Sequence, residues 1–108
     1  DILFILPADD KLIGNPTLPA IHGGVVGAFM EQAAVFQLLA IMDTPVLPKI
    51  IDFTLDYIRP SRLIDTYASC TVTRQGRFIA NVSACAWQEK KEQPNAIARV
   101  HFLIPENN

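Results

Sequence analysis

The sequence has few charged residues, few cysteines and no excess of basic side chains. Of its 108 residues, 19% are charged, and the formal net charge at pH 7 is -2. Such a chain lacks the positive surface that general nucleic-acid binding requires, so we expect no nucleic-acid partner. Two cysteines are too few for the disulfide framework of a small secreted domain. The two histidines and two cysteines have no metal-ligand spacing, so we also expect no metal site.

Long apolar segments are missing as well. No apolar run approaches the ~20 residues of a membrane span, so we expect no membrane partner. The segment 1–6 is too short for a signal peptide and has no basic start. These features predict a cytoplasmic protein. Because the chain begins with Asp1 instead of Met, we expect it to be a fragment or a processed form.

Apolar residues, by contrast, are abundant, at 50% of the chain. The length predicts one domain, residues 1–108. A domain of this size buries only about 60–70% of the surface of its unfolded chain. The apolar surplus therefore predicts a subunit interface.

The segment 22–42 predicts one long, buried helix. Its residues are nearly all small or apolar, and Pro45 and Pro48 should end it near Ile41 or Met42. A helix that is apolar on nearly all sides is usually buried. The side chains expected to face a sheet are Phe29, Phe36 and Leu39.

Glu31 is the only charged residue between His22 and Ile41. Burial of an unpaired carboxylate is costly or raises its pKa. A helix that served only as core would be expected to carry Leu or Ala here, so Glu31 is a candidate catalytic residue. Its neighbours at helical spacing predict a groove that a ligand or another surface can approach closely. They are Gly24, Gly27, Ala28, Ala34 and Val35.

After Pro48 the periodicity changes from helical to alternating. Four alternating segments predict four antiparallel strands in a meander, near residues 51–59, 64–73, 78–87 and 98–104. The apolar run 2–6, compatible with strand or helix, is assigned as a strand. One helix with such a sheet is an α+β arrangement.

A three-residue hairpin loop, Arg74-Gln75-Gly76, is predicted between the second and third of these segments. It pairs Cys70 with Ala80, keeps one face apolar and gives Gly76 a left-handed position. Cys70 and Cys85 then face opposite sides of the sheet, so we expect two buried free thiols.

The sequence His22-Gly23-Gly24, with Glu31 nine residues after the histidine, resembles hotdog-fold acyl-CoA thioesterases. The resemblance is to the phenylacetate-pathway (PaaI-like) and 4-hydroxybenzoyl-CoA thioesterase groups. Asp56-Tyr57-Ile58-Arg59-Pro60 resembles a strand pattern of the same family. The similarity runs from Asn15 to Pro105. It implies a hotdog fold, in which a long central helix is wrapped by a curved antiparallel sheet, and homodimers. Whether these homodimers pair further into dimers of dimers stays open.

The resemblance implies a thioester-hydrolysing site at the start of the helix. The backbone N–H of Gly24 or Gly23 would polarise the thioester carbonyl. Glu31 of the partner subunit would attack that carbonyl or activate water, and both roles stay open. His22 either fixes the loop or contacts the carbonyl or water. Asn15 is either a turn residue or a contact to the thioester or water.

Coenzyme A would be part of the substrate, so no separate cofactor is expected. Its phosphates need positive charge. Related thioesterases often carry Arg-x-Gly-Arg where this chain has Arg74, Gly76 and Arg77, and these residues are candidate contacts. Arg59, with Arg62 close by, is another. Tyr57 and Trp87 are expected to pack on the sheet or to wall an acyl pocket.

Two other functions of the same fold stay open. One is a non-catalytic acyl-CoA-binding or sensor domain, which would bind the ligand without turnover. The other is a dehydratase or hydratase, which pairs a loop His with a helix Glu further along the chain. Position 17, where that His would lie, is Thr, which disfavours this second alternative.

Overall fold

The computed structural model describes residues 2–9, 11, 13–15, 20–21, 23–43 and 45–105, and the statements below concern these residues. Seven strands and one helix follow one another along this part of the chain. They are β1 (Phe4–Leu6), β2 (Ile13–Asn15), β3 (Ala20–Ile21), α1 (Gly23–Ile41), β4 (Lys49–Tyr57), β5 (Thr66–Gln75), β6 (Ile79–Trp87) and β7 (Ala96–Leu103).

Five of the strands form one antiparallel sheet in the order β1-β5-β6-β7-β4, and β2 pairs with β3 separately. The predicted meander is correct for β5, β6 and β7. It is wrong for β4, which pairs with β7 at the edge of the sheet. Alternation along a strand shows which of its faces is buried but not which strand lies beside it, so the sequence pattern could not place β4.

The helix has the predicted bounds, but another of its faces packs on the sheet. Its buried residues are Val26, Gly27, Met30, Ala33, Ala34 and Leu38. Phe36 is 56% exposed, so its predicted contact with the sheet is wrong. The inner face of the sheet consists largely of buried alanines: Ala68, Ala80, Ala84, Ala86, Ala96 and Ala98. Small residues on both surfaces let the helix backbone approach the sheet closely, whereas the Phe36 side chain lies on the exposed side of the helix.

Two apolar clusters show how the helix is oriented. The first half of α1, around Val26 and Met30, packs over the end of β6 and the start of β7. Its last turns, around Leu38, pack over Val82 and Phe102 at the opposite end of the sheet. The β5–β6 hairpin therefore lies at the end of the sheet where the helix ends.

The register of that hairpin differs from the prediction by four residues. Cys70 pairs with Ala84 instead of Ala80, and the strands are joined through Gly76-Arg77-Phe78. A shift by an even number keeps the same face inward, so alternation cannot detect it. Gly76 has no positive φ, which corrects its predicted left-handed position. A Cβ on Gly76 would lie 3.2 Å from the main-chain oxygen of Ile79, so a close approach favours glycine there.

The two thiols are free, as predicted, and each is partly buried. Cys70 packs against both apolar clusters beneath the helix. Cys85 pairs with Ser69 on the other face of the sheet, so the thiols lie on opposite faces.

The helix is also long and apolar enough to cross a membrane by length and composition alone. The expectation that no apolar run approaches that length is therefore wrong for α1. Core helices have the same properties, and one such helix is weak evidence for a membrane span. The inner stripe of α1 is buried against the sheet, so part of its apolar composition belongs to the core.

Candidate active site

Two hydrogen bonds fix the start of the helix against the end of β4 and the segment that follows it. The backbone N–H of Ile21 donates to the main-chain oxygen of Ser61 at 2.8 Å. The hydroxyl of Tyr57 donates to the main-chain oxygen of Gly23 at 2.6 Å. The first turn of α1 is thereby held beside the last residue of β4.

The first glycines of the helix make room for the Tyr57 ring. A Cβ on Gly23 would lie 3.3 Å from the Tyr57 Oη atom, and one on Gly27 would lie 3.2 Å from the Cδ2 atom of Leu55. Both distances are shorter than an ordinary contact of a Cβ atom. Glycine at these positions therefore allows β4 and the helix start to come together.

A cavity of about 360 Å³ lies beside this helix start. Its lining residues are Ile21, Gly23, Val26, Tyr57, Ile58, Arg59, Pro60 and Ser61. The volume falls in the range of small-molecule sites, and apolar walls with a few polar groups are usual for them. Gly23 is the first residue of α1 and lines the cavity, so the positive end of the helix dipole lies beside the cavity. The first turn of α1 carries no acidic side chain that would neutralise this partial charge.

Of the predicted site residues, Gly23 and Arg59 line this cavity. Gly24 lies next to Gly23 in the first turn of α1 and is exposed. Tyr57 had been assigned as a residue that packs on the sheet or walls a pocket, and it does line the cavity. The buried Ser61 was missed, although it stands next to the Asp56–Pro60 motif that could have indicated it.

Glu31 is half-buried on α1, eight residues after Gly23. A helix rises 1.5 Å per residue, so the two lie roughly 12 Å apart along the axis. Glu31 does not line the cavity of its own chain. A carbonyl held at the helix start is therefore out of reach of the Glu31 side chain of the same chain.

Asn15 ends β2, where its backbone pairs with Ala20. Its side chain lies outside the described part of the structure, as does His22. The roles predicted for these two residues remain predictions.

The arginines that were predicted to contact phosphates lie near two distant ends of the sheet. Arg59 donates from Nε to the main-chain oxygen of Pro94 at 3.2 Å, and Arg62 forms an ion pair with Glu89. Both arginines line a second cavity of about 140 Å³, together with Lys90. Because Arg59 lines both cavities, a positive charge stands where they meet.

The predicted hairpin contacts lie elsewhere. Arg74 is in β5, whereas Gly76 and Arg77 are in the connection to β6, at the end of the sheet where the helix ends. The Arg77 guanidinium lies over the Phe78 ring, 5.0 Å from its centroid. These residues do not reach the helix-start cavity of their own chain.

Both thiols lie outside the cavity. Burial raises the pKa of the Cys70 thiol from 9.0 to about 11. Burial also raises the pKa of Cys85, and the positive charge of Lys91 partly opposes that increase. A raised pKa keeps a thiol protonated at neutral pH, so neither cysteine has the character of an activated nucleophile.

Comparison with known proteins identifies the family. Residues 18–95 match the thioesterase superfamily. The chain belongs to the thioesterase superfamily. Its helix on a five-stranded antiparallel sheet is the hotdog fold of that superfamily. No curated protein sequence matches the chain.

Solved structures extend the comparison. A protein of Chromobacterium violaceum is 40% identical with a TM-score of 0.78, and the match covers 98% of this chain and 72% of that one. A phenylacetic acid degradation-related protein of Ralstonia eutropha is 20% identical, with a TM-score of 0.84 and coverage of 94% and 74%. A Bacillus halodurans protein solved with CoA is 15% identical, with a TM-score of 0.85 and coverage of 98% and 68%. The last two show similarity of fold alone.

Proposed function

We propose that this member of the thioesterase superfamily is an acyl-CoA thioesterase, which hydrolyses a thioester to a free acid and CoA. The observation that carries the proposal is the cavity beside the helix start. Its apolar walls suit an acyl chain or the pantetheine arm, and Arg59 at its border suits a phosphate. The CoA bound to the Bacillus halodurans relative supports the same class of ligand.

In the proposed reaction the carbonyl oxygen of the thioester lies at the helix start. The backbone N–H of Gly24 or Gly23 donates to that oxygen, and the helix dipole stabilises the negative charge that develops on it. His22 and Asn15 are the candidate further contacts to the carbonyl or the water. No cofactor takes part in this scheme, because CoA enters as part of the substrate.

Glu31 supplies the acid–base or nucleophilic step. As a base it takes a proton from water while the water oxygen attacks the carbonyl carbon. As a nucleophile it forms an acyl-enzyme anhydride that water then hydrolyses. In both cases the C–S bond breaks, and the sulfur of CoA leaves as a thiolate that takes up a proton.

The acid comes from the partner subunit in our proposal, because Glu31 cannot reach the helix start of its own chain. β4 is an edge strand of the sheet, and an unpaired edge is a natural site for pairing with a second copy. Large apolar side chains are exposed on or beside it: Leu47 (72%), Ile51 (53%) and Ile58 (48%). These features support a homodimer. We further propose that two such dimers pair into a dimer of dimers, and that the protein acts in the cytoplasm.

The partner would also bring its hairpin to the site. Arg74, Gly76 and Arg77 lie far from the cavity of their own chain, so they would contact CoA bound to the other subunit. Arg59, which lines the cavity directly, would contact the phosphates within the same subunit.

The experiment is thiol release from a panel of acyl-CoAs by the wild type and by Glu31→Gln. Glutamine keeps the size and hydrogen bonding of the side chain but cannot ionise. We expect turnover of at least one thioester, and a loss of at least ~100-fold in the folded variant. Glu92→Gln makes the same change at an exposed position in the β6–β7 turn and should leave the rate unchanged. Binding of an acyl-CoA without any turnover would overturn the proposal in favour of a sensor.

A further inference from the structure

Two buried side-chain amides stand at the two ends of the β6–β7 turn. Gln88 follows the last residue of β6 and is 8% exposed, and Asn95 precedes the first residue of β7 and is 5% exposed. Burial of an amide is unfavourable unless its polar atoms are hydrogen-bonded. The partners of these two amides therefore show what the pair holds in place.

Gln88 binds the main chain of Arg62 in both directions. Its Oε1 atom accepts from the Arg62 N–H at 3.0 Å, and its Nε2 atom donates to the Arg62 oxygen at 2.7 Å. The same Nε2 atom donates to Oγ1 of the buried Thr66 at 3.1 Å. The glutamine side chain thus satisfies both the donor and the acceptor of the Arg62 main chain.

Asn95 holds the residues immediately before Arg62. Its main-chain oxygen accepts from the N–H groups of Ile58 at 2.8 Å and Arg59 at 3.2 Å. Its Nδ2 atom donates to the main-chain oxygen of Pro60 at 3.0 Å and to Oε1 of Gln88 at 3.4 Å. The two amides therefore contact each other, and together they bind the segment 58–62 along most of its length.

The segment they hold is one wall of the helix-start cavity. Residues 58–61 line that cavity, and the main-chain oxygen of Ser61 accepts from the N–H of Ile21 just before the helix. A continuous chain of hydrogen bonds thus connects the β6–β7 turn to the helix start. Displacement of this segment would move Arg59 and widen the cavity.

We propose that Gln88 and Asn95 are positioning residues for the site. They fix the segment 58–62, and through it the place of Arg59 and the width of the cavity beside Gly23. Neither residue touches the reacting atoms in this scheme. The catalytic consequence rests on the proposed thioesterase function, whereas the positioning itself can be measured without it.

The test substitutes Gln88→Met, which keeps the length of the side chain and removes its hydrogen bonds. Loss of buried hydrogen bonds to the segment should raise KM for a CoA thioester about 10-fold, with kcat changed less than about 3-fold. Amide hydrogen exchange of Ile21 should accelerate by about 10-fold, because its acceptor on Ser61 is released. Amides of the β6–β7 ladder should keep their exchange rates.

Gln93→Met is the matched control, since Gln93 lies exposed in the same turn. It should change neither KM nor the exchange of Ile21. If Gln88→Met fails to fold, Asn95→Leu makes the corresponding test, because it removes the donor to Pro60 without adding a charge and keeps the main-chain bonds.

Unchanged KM and unchanged Ile21 exchange in the folded variants would overturn the proposal. Equal acceleration of hydrogen exchange at all backbone amides, with unchanged KM, would also overturn it. Gln88 and Asn95 would then stabilise the whole fold instead of one segment. If the wild type hydrolyses no thioester, the function proposal fails. The hydrogen-exchange rate of the Ile21 backbone amide alone then decides whether Gln88 and Asn95 position the segment 58–62.

Discussion

The hydroxyl of Tyr57 donates to the main-chain oxygen of Gly23 at 2.6 Å, across 34 positions of sequence. Its ring lies where a side chain on Gly23 would point, since the Cβ atom of such a side chain would be 3.3 Å from Oη. The two motifs that carry the family resemblance, one at the helix start and one at the end of β4, therefore meet in a single contact. Both residues of this contact line the cavity.

Removal of the Tyr57 hydroxyl should weaken that contact. We expect Tyr57→Phe to lower the free energy of unfolding by roughly 0.5–1 kcal/mol, at the low end for one hydrogen bond because Tyr57 is half exposed. Urea unfolding followed by circular dichroism measures the change. Tyr67→Phe is the matched control, because the Tyr67 ring stacks on Trp87 instead of the helix start. Equal losses in both variants would show that the Gly23 contact contributes no stability of its own.

Local features of the fold were predictable from the sequence, and pairings between distant segments were not. The helix bounds followed from an apolar run ended by prolines, and the strand segments followed from alternation. The partner of β4 and the register of the hairpin both depend on contacts between distant residues. An even shift in register leaves every side chain on its face, so Cys70 could pair with Ala84 or Ala80 without any change in pattern.

The same distinction applies to the site. Gly23 and Arg59 were predicted from motifs and line the cavity. Ser61 was missed, because its role comes from the bond to Ile21, which exists only after the segment has docked on the helix start. Phe36 was assigned to the wrong face because a helix that is apolar all round has no single apolar stripe to identify.

The buried thiol of Cys70 should make stability fall at alkaline pH. Its pKa is raised from 9.0 to about 11 by burial, so above pH 9 the unfolded chain ionises while the folded chain stays protonated. The contribution of this group is therefore fully present below pH 9 and is lost as the pH rises towards 11.

Urea unfolding of the wild type and Cys70→Ala across that interval should show a steeper decline for the wild type. Ser69→Ala, next to it on the same strand and without a titrating group, should keep the wild-type slope. Parallel declines in all three proteins would contradict the assignment of this pH dependence to Cys70.

Arg59 should affect substrate binding more than turnover. A contact to the CoA phosphates is made equally in the ground state and the transition state, so its loss raises KM and leaves kcat. We expect Arg59→Gln to raise KM for a CoA thioester about 10-fold at low salt, and this difference should shrink as salt screens the charge. Steady-state kinetics at two ionic strengths measures both effects.

Arg99→Gln is the control for Arg59, because Arg99 alternates with Ala98 and Val100 and so lies on the face of the sheet away from the helix. It removes the same charge and should leave KM unchanged. An equal increase of KM in both variants would mean that net charge, and not a contact at the cavity, controls substrate binding.

Mixed dimers should reveal which subunit supplies the acid. Glu31→Gln retains the cavity but lacks the acid, and Pro60→Trp retains the acid but obstructs the cavity that Pro60 lines. Each variant alone should be inactive.

If Glu31 acts across the interface, a mixed dimer holds one complete site out of two. About half of the dimers are mixed when the two variants are refolded together in equal amounts, so about a quarter of wild-type activity should return. If Glu31 acts within its own subunit, both sites of the mixed dimer are defective, and the refolded mixture should remain as inactive as the separate variants.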